Sequence, residues 1–384
     1  MTPSGSIPLS LYIHLPWCER KCPYCDFNSH TGFTSEQEVQ YIDAVLSDLD
    51  SQLEWVAGRE VASIFIGGGT PSLFSERAIN DLLNGVSKRV ELASNAEITL
   101  ESNPGSAERD QFLGYRRAGI NRLSIGVQSF DDTALGHLGR IHSGDDARRA
   151  LHCADVAGFN RWNIDLMHGL PDQTVTGASA DIVEAVRLSA GHVSWYQLTI
   201  ERNTKFWSNP PALPDEATLA DIQAEGEQLL MKAGFSQYEV SAFCRAGEAC
   251  QHNINYWAFG DYIGLGAGAH GKVTLESGQI IRTRRTRLPE DYLKESQLLR
   301  MPPPPQTPVA PDQLTVEFAM NALRLRQGAP VDAFTSRTGL APSVLIEAAS
   351  EAISKGWIKH PNEGTFVTTP LGYQFLDTVI ASFL

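Results

Sequence analysis

Three cysteines near the start of the chain have a spacing that could hold an inorganic centre. Cys18, Cys22 and Cys25 form a Cys-x3-Cys-x2-Cys segment directly after the first strand-like stretch. Thiolates are the sulfur species that bind metal, and the neighbouring Arg20 and Lys21 favour deprotonation. A [4Fe–4S] cluster has four irons, so three cysteines leave one iron open to a further ligand. The segment therefore predicts an iron–sulfur cluster with one open coordination position.

A structural zinc site is the alternative for the same cysteines. It would take His14 or His30 as a fourth ligand, although closed zinc sites favour paired Cys-x2-Cys knuckles and this segment has one such pair. The remaining cysteines, Cys153, Cys244 and Cys250, are isolated in the sequence. This pattern is not that of a disulfide scaffold and indicates a reducing compartment, so we expect a cytoplasmic protein.

Strand-like and helix-length segments alternate over the first two thirds of the chain. Strands are expected at Leu9–His14, Val61–Ile66, Glu97–Leu100, Arg122–Val127, Asn163–Met167 and Ser194–Leu198. Helices are expected between them, at Glu36–Val56, Ser75–Val90, Asp145–Ala157, Ala178–Leu188 and Glu216–Ala233. Such alternation is typical of βαβ units and a parallel sheet. The predicted fold is an α/β partial (β/α)6 TIM-like barrel, with a doubly wound open sheet as the alternative.

Polar residues and a glycine run follow the predicted strands. In both folds the functional residues lie at the carboxyl ends of the strands. The glycine run Gly67–Gly69 would let the backbone approach a ligand closely. Glu101 suits an ammonium group or ribose hydroxyls, or it could cap the next helix. Together with Gln128 and Asp165, these residues predict a polar pocket at one end of the sheet.

The last part of the chain has a different organisation. Six prolines within Met301–Pro311 indicate a semi-rigid linker. Two helix-like stretches and two short apolar segments follow, and they predict a small winged-helix-like α+β domain with a hairpin turn at residues 361–364. The predicted units are a barrel core at 1–235, an extension at 236–300, the linker at 301–312 and the carboxyl-terminal domain at 313–384.

Several motifs resemble those of a known family. The cysteine spacing after the first strand is similar to the radical S-adenosylmethionine (SAM) superfamily. The flanking motifs resemble the oxygen-independent coproporphyrinogen III oxidase family over essentially the whole chain. They are Tyr12-Ile-His-Leu-Pro-Trp-Cys18, Gly67-Gly-Gly-Thr-Pro71, Gly126-Val-Gln-Ser-Phe130 and Asn163-Ile-Asp-Leu-Met-His-Gly-Leu-Pro171.

Two departures separate the branches of that family. The true oxidases carry a fourth cysteine two residues after the third, where this chain has Phe27, and they have a longer N-terminal extension than the 17 residues that precede Cys18. The stretches Cys25-Asp-Phe-Asn-Ser-His30 and His252-Asn-Ile-Asn-Tyr-Trp257 instead resemble the HemW branch of haem chaperones. The resemblance implies a protein that binds haem, a [4Fe–4S] cluster and SAM, and transfers haem to an unidentified acceptor protein. A radical SAM enzyme acting on a porphyrinogen is the alternative.

The resemblance also implies site residues. The methionine amine and carboxylate of SAM would chelate the open iron, and no residue is assigned a catalytic role. The implied SAM site is lined by Tyr12, Tyr24, Gly69, Thr70, Glu101, Gln128, Arg140, Asp165 and Thr199.

The second HemW-type motif supplies a candidate haem site. Its histidine, His252, is a candidate axial ligand, and the rings of Tyr256 and Trp257 suit a porphyrin face. A structural histidine is the alternative. Nearby arginines could pair with haem propionates, although a solvated charged face is the expected role for them. They are Arg282, Arg284, Arg285 and Arg287.

Composition limits the remaining partners. The chain has 384 residues and a net charge of −14, so it is a poor general binder of phosphate backbones. Val344–Lys355 carries Glu347 and Glu351, which argues against a DNA-binding role for the last domain, and no nucleic acid is expected. No apolar run has the length of a membrane span, and no secretory signal is evident, which leaves at most transient contact with a membrane surface.

Overall fold

The computed structural model describes residues 7–106, 109–188, 191–360 and 364–384. The strands are β1 (Leu9–Leu15), β2 (Val61–Gly68), β3 (Leu92–Ser102), β4 (Arg122–Gln128), β5 (Trp162–His168), β6 (His192–Gln197), β7 (Ser236–Glu239), β8 (Ala242–Cys244), β9 (Asp261–Leu265), β10 (His270–Thr274), β11 (Ile280–Arg284), β12 (Gln306–Pro308), β13 (Ala329–Pro330) and β14 (Thr365–Phe366).

Helices fill most of the intervals between these strands. They are α1 (Ser35–Val56), α2 (Glu76–Ser87), α3 (Arg109–Ala118), α4 (Asp132–His137), α5 (Gly144–Val156), α6 (Val175–Arg187), α7 (Lys205–Ser208), α8 (Glu216–Lys232), α9 (Gln251–Trp257), α10 (Pro289–Ser296), α11 (Leu314–Ala322), α12 (Val331–Thr338), α13 (Pro342–Ala348), α14 (Ser350–Ser354), α15 (Pro370–Gln374) and α16 (Leu376–Ala381).

The strand order decides between the two predicted folds. Strands β1 to β6 are parallel and lie side by side in chain order. A doubly wound sheet would reverse direction at a switch point, whereas an uninterrupted order keeps the connecting helices on one face. The predicted partial (β/α)6 barrel is therefore confirmed, and the doubly wound alternative is wrong.

The sheet continues beyond these six strands at both edges. Strand β9 pairs in parallel with β1, and β10, β11 and β12 extend it as an antiparallel meander. At the other edge β8 and then β7 add to β6 in antiparallel pairing. The added strands place the loops that follow β9 and β11 beside the mouth of the barrel.

The parallel strands are buried on both faces. Every residue of β4 is buried, and six of the seven residues of β1 are, because side chains fill the barrel interior and helices cover its outside. Side chains cap several of the covering helices: Ser75 accepts from the Ala78 amide, and Ser143 forms a capping box with Asp146.

The helix α3 was not predicted from the sequence. Its core-facing surface is formed by Phe112 and Tyr115, which are both fully buried, while most of its other residues are polar. Two apolar residues one turn apart give a weak periodic signal. Strand β3 begins at Leu92, five residues before its predicted start at Glu97. Its first residues pair with β2 only at Val61 and are partly exposed, so a search for buried apolar runs does not detect them.

The carboxyl-terminal part has its own apolar core. Phe318 contacts both Phe334 and Phe366 in this core. The helix α12 was not predicted. Strand β14 pairs with β13, and the two segments predicted to form the hairpin share a single bridge between Ile358 and Thr368. Most of the predicted hairpin turn, residues 361–363, lies outside the described residues. Within the described part of the chain, no helix has the length and apolarity needed to cross a membrane.

Candidate functional site

A cavity of about 520 Å³ opens at the carboxyl ends of the barrel strands. It continues down the barrel interior to Arg122 and His192, which begin β4 and β6. Its wall includes eleven of the residues predicted for the cluster and SAM. They are Cys18, Cys22, Cys25, Tyr24, Gly69, Thr70, Glu101, Gln128, Arg140, Asp165 and Thr199.

The cysteine loop is held in place by its own backbone. The Cys18 amide donates to the His30 carbonyl (2.7 Å), and the Cys25 amide donates to the Cys22 carbonyl (3.2 Å). The Lys21 ammonium donates to the Phe27 carbonyl at 3.1 Å, so this lysine organises the loop. As a result, three free and partly buried thiols line one end of the cavity.

Charge and burial act in opposite directions on these thiols. Burial raises the pKa of both Cys18 and Cys25, and the Lys21 ammonium offsets only part of this for Cys25. The cation in contact with sulfur is Arg140, whose Nη1 lies 3.6 Å from the Cys22 Sγ. Thiols with raised pKa values ionise when a metal replaces the proton, so loading of the loop should release protons.

The donor set fits a multi-iron cluster better than a single zinc ion. Among the described residues, no three His, Cys, Asp or Glu side chains stand close enough to share one ion. His14, one candidate for a fourth zinc ligand, has both ring nitrogens engaged, with the Tyr12 hydroxyl (2.9 Å) and the Asn28 carbonyl (2.8 Å). The other candidate, His30, contacts the Asn28 side chain at 3.3 Å.

The glycine run lies where two segments approach closely. A Cβ on Gly69 would lie 2.4 Å from the Trp17 carbonyl oxygen, and Gly68 has a φ of +123°, which side-chain-bearing residues rarely adopt. The Gly69 amide donates to the Leu15 carbonyl and the Gly68 amide to Glu101. Because these two amides are used internally, the carbonyl oxygens of the run are the groups that could accept hydrogen bonds from a ligand.

Two carboxyl groups on strands β3 and β5, which are separated in the sheet by β4, face the cavity. Glu101 accepts from the Gly68 amide at 3.0 Å, and burial together with Asp165 raises the pKa of Glu101 to about 7. Burial also raises the pKa of Asp165, although Ser124 (2.9 Å) and Asn163 (2.6 Å) donate to it. A cationic ligand group beside Glu101 would favour its ionised form.

Arg140 joins the cysteine loop to the barrel. Besides its contact with sulfur, it donates to the Asn103 side chain (2.6 Å) and to the Gly126 carbonyl (2.9 Å). Gln128 has a φ of +70° and accepts from the Tyr196 hydroxyl at 2.7 Å. Asn103 and Tyr196 line the same cavity but were not predicted. Each lies within one residue of a strand end, and that position is the signal that could have identified them.

The three residues predicted to bind haem lie on helix α9, and the histidine among them is buried. His252 is only 1% exposed, with Nδ1 at 3.0 Å from the Ser63 Oγ and Nε2 at 3.0 Å from the Tyr256 hydroxyl. Trp257 lies under the Arg324 guanidinium, 4.3 Å from the ring centroid, where the barrel meets the carboxyl-terminal helices. Haem ligation by His252 stays a prediction, and in this conformation it would require the hydrogen bond at the ligating ring nitrogen to break.

Two other predicted residues lie in a second cavity. Tyr12, assigned to the SAM site, and Tyr256 both line a space beside the main cavity. Tyr12 is absent from the wall of the main cavity. Its ring stacks near Phe65, at 6.4 Å between centroids.

The barrel and its three-cysteine pocket define a radical SAM protein. Residues 12–181 match the Radical SAM superfamily, and residues 309–375 match the HemN C-terminal domain. The chain is 49% identical over 98% of both chains to the heme chaperone HemW of Escherichia coli K12, and 46% identical over 98% of both to that of Haemophilus influenzae. The chain belongs to the HemW family.

Two further relatives show how widely this architecture extends. A bovine protein, the mitochondrial radical S-adenosyl methionine domain-containing protein 1, is 38% identical over 84% of this chain and 75% of its own length. The solved structure of E. coli coproporphyrinogen III oxidase (HemN), a radical SAM enzyme, matches with a TM-score of 0.83 over 98% of this chain and 90% of that chain. Its sequence identity is 21%, so this likeness shows the fold alone.

Proposed function

We propose that this chain is a haem chaperone that binds haem, a [4Fe–4S] cluster and SAM, and transfers haem to an acceptor protein. The observation that carries the proposal is the 49% identity to a heme chaperone over almost the full length of both chains. The clustered free thiols favour a reducing compartment, and we place this activity in the cytoplasm.

The chain offers separate groups for the cluster and for SAM. Cys18, Cys22 and Cys25 would hold three irons, and Arg140 beside Cys22 would balance the negative charge of the thiolates. Glu101 lies where it could pair with the ammonium group of a methionine moiety. A cluster with SAM at its open iron supplies one-electron chemistry at the sulfonium. The protein residues bind and orient these groups and shield them inside the barrel.

One residue in the loop favours the chaperone over a porphyrinogen oxidase. Phe27 occupies the position of the fourth cysteine of the true oxidases, and its ring is 61% exposed at the cavity rim. An exposed ring at the mouth is suited to contact with a flat apolar ligand. It supplies no thiol for chemistry on a bound substrate.

Anaerobically reconstituted protein tests the proposal directly. We expect about four irons per chain, a Soret change on titration with hemin, and transfer of that haem to apomyoglobin as a probe acceptor. A Cys22→Ala variant should lose the cluster, while a Cys153→Ala variant on helix α5 should keep it. SAM-dependent decarboxylation of coproporphyrinogen III by the reconstituted protein would contradict the proposal and favour the oxidase alternative.

A further inference from the structure

A second cavity of about 440 Å³ lies beside the cluster pocket. The two cavities share Asp26, Phe27, Gly68 and Glu101 as a common wall. The volume is within the range of about 300 to 1,000 Å³ that is usual for small-molecule and cofactor sites. A ligand in this cavity would therefore lie next to the cysteine loop.

Aromatic rings form part of the lining of this cavity. The rings of Tyr12, Tyr256 and Tyr262 line it, and Tyr256 and Tyr262 meet edge to face with centroids 4.4 Å apart. The exposed ring of Phe27 adds an apolar surface at the rim. Flat rings of this kind offer contact to the face of a planar apolar ligand.

The lining also includes the histidine His270 and two arginines. His270 begins β10 and is the direct antiparallel partner of Arg284 at the end of β11, so both side chains project from the same face of the sheet. Arg287 follows in the next loop and also lines the cavity. Within the part of the chain that the structure describes, no hydrogen bond or ion pair engages the side chains of these three residues.

Two neighbouring arginines, unlike Arg284 and Arg287, already donate hydrogen bonds to other side chains of the protein. Arg282 donates to Glu317 and to the Tyr262 hydroxyl. Arg285 is buried and donates to Asp48 at 2.8 Å. Of the four arginines predicted from the sequence, only Arg284 and Arg287 therefore present unengaged guanidinium groups to the cavity.

The buried His252 contributes to this cavity indirectly, through Tyr256. The His252 Nε2 lies 3.0 Å from the Tyr256 hydroxyl, and its ring packs on Phe65 at 5.1 Å between centroids. It fixes the orientation of Tyr256, which is the residue of its motif that reaches the cavity. His252 is thus a positioning residue in the observed conformation.

We propose that the second cavity is the haem site, with His270 as the axial ligand to iron and Arg284 and Arg287 as partners of the propionates. The inference rests on the proposed function, because it assumes that the chain binds haem. Bidentate pairing with carboxylates is a strength of the guanidinium group.

Hemin titration of the cluster-loaded protein tests the site. We expect His270→Ala to weaken hemin affinity at least about tenfold, the equivalent of about 1.4 kcal/mol, and to shift the Soret maximum of the complex. His152→Ala, an exposed histidine on the outer helix α5, is the matched control and should bind as wild type. Hemin binding by His270→Ala that matches wild type in affinity and spectrum would overturn the inference.

A second pair of measurements tests the arginines and separates the two proposals. The Arg284→Gln/Arg287→Gln double variant should bind hemin more weakly than wild type but bind hemin dimethyl ester equally well, because the ester lacks propionate charges. An equal loss of affinity for hemin and for hemin dimethyl ester would contradict the assignment of these arginines to the propionates. If wild type itself fails to bind hemin, the proposed function is refuted. If wild type binds hemin and only His252→Ala abolishes the Soret shift, the sequence-predicted ligand replaces His270.

Discussion

The raised pKa of Glu101 leads to a quantitative prediction about stability. Its carboxyl group is held among the strand ends beside Asp165, and its pKa is raised from the ordinary 4.5 to about 7. The folded protein thus binds this proton more tightly than the unfolded chain does. The free energy of unfolding should therefore fall as the pH rises from about 4.5 to about 7, and this contribution should be constant above that range.

The magnitude follows from the size of the shift. At about 1.4 kcal/mol per pH unit, the change from 4.5 to about 7 amounts to about 3 kcal/mol. Glu101→Gln keeps an oxygen that can accept from the Gly68 amide but cannot ionise. The difference in the free energy of unfolding between the variant and wild type should therefore change in favour of the variant by up to about 3 kcal/mol between about pH 4.5 and about pH 7.5.

Urea unfolding of the anaerobic, SAM-free protein would measure this difference. Tryptophan fluorescence would follow the transition for both proteins at intervals between about pH 4.5 and 8, and the difference between the two curves reports the titration of Glu101 together with its effect on Asp165. Infrared difference spectra should also show a protonated carboxyl band in wild type near pH 6 that the variant lacks. Parallel stability curves, with no such band, would refute the assigned burial of Glu101.

Three further changes have expected outcomes of their own. Cys22→Ala should lose the iron–sulfur absorption and the bound iron, measured after anaerobic reconstitution, while Cys153→Ala retains both; equal iron in both would contradict the assigned loop. Arg140→Leu removes the guanidinium that contacts Cys22 and the barrel, so SAM affinity by calorimetry should fall at least about tenfold, or about 1.4 kcal/mol. Arg285→Met leaves the buried Asp48 without its ionic partner, although Gln52, Gly266 and Tyr292 still donate to it, and should lower the free energy of unfolding by about 3 kcal/mol; an unchanged urea midpoint would show that this pair is not buried.

Local patterns in the sequence were sufficient for much of this fold. Each of the six predicted strands is observed within a few residues of its expected position, because a parallel strand buried on both faces is a short apolar run that sequence alone reveals. The cysteine spacing and the glycine run were recognised for the same reason, since each is contained within a few consecutive residues. The helix α3 was missed because Phe112 and Tyr115 are its only fully buried large side chains and most of its other residues are polar.

Contacts between distant segments decided the environments of several site residues, which local sequence patterns do not reveal. His252 was predicted as a ligand from its aromatic neighbours, but its environment depends on Ser63, which lies 189 residues away along the chain. Four arginines looked equivalent in the sequence. Arg285 is hydrogen-bonded to Asp48, which lies 237 residues away along the chain. Arg284 pairs with His270 across strands β10 and β11, and this pairing places both side chains at the cavity. The sequence determined the types of chemical group and the strands that carry them, and the tertiary structure decided which groups remain available, because burial and pairing depend on contacts between distant segments.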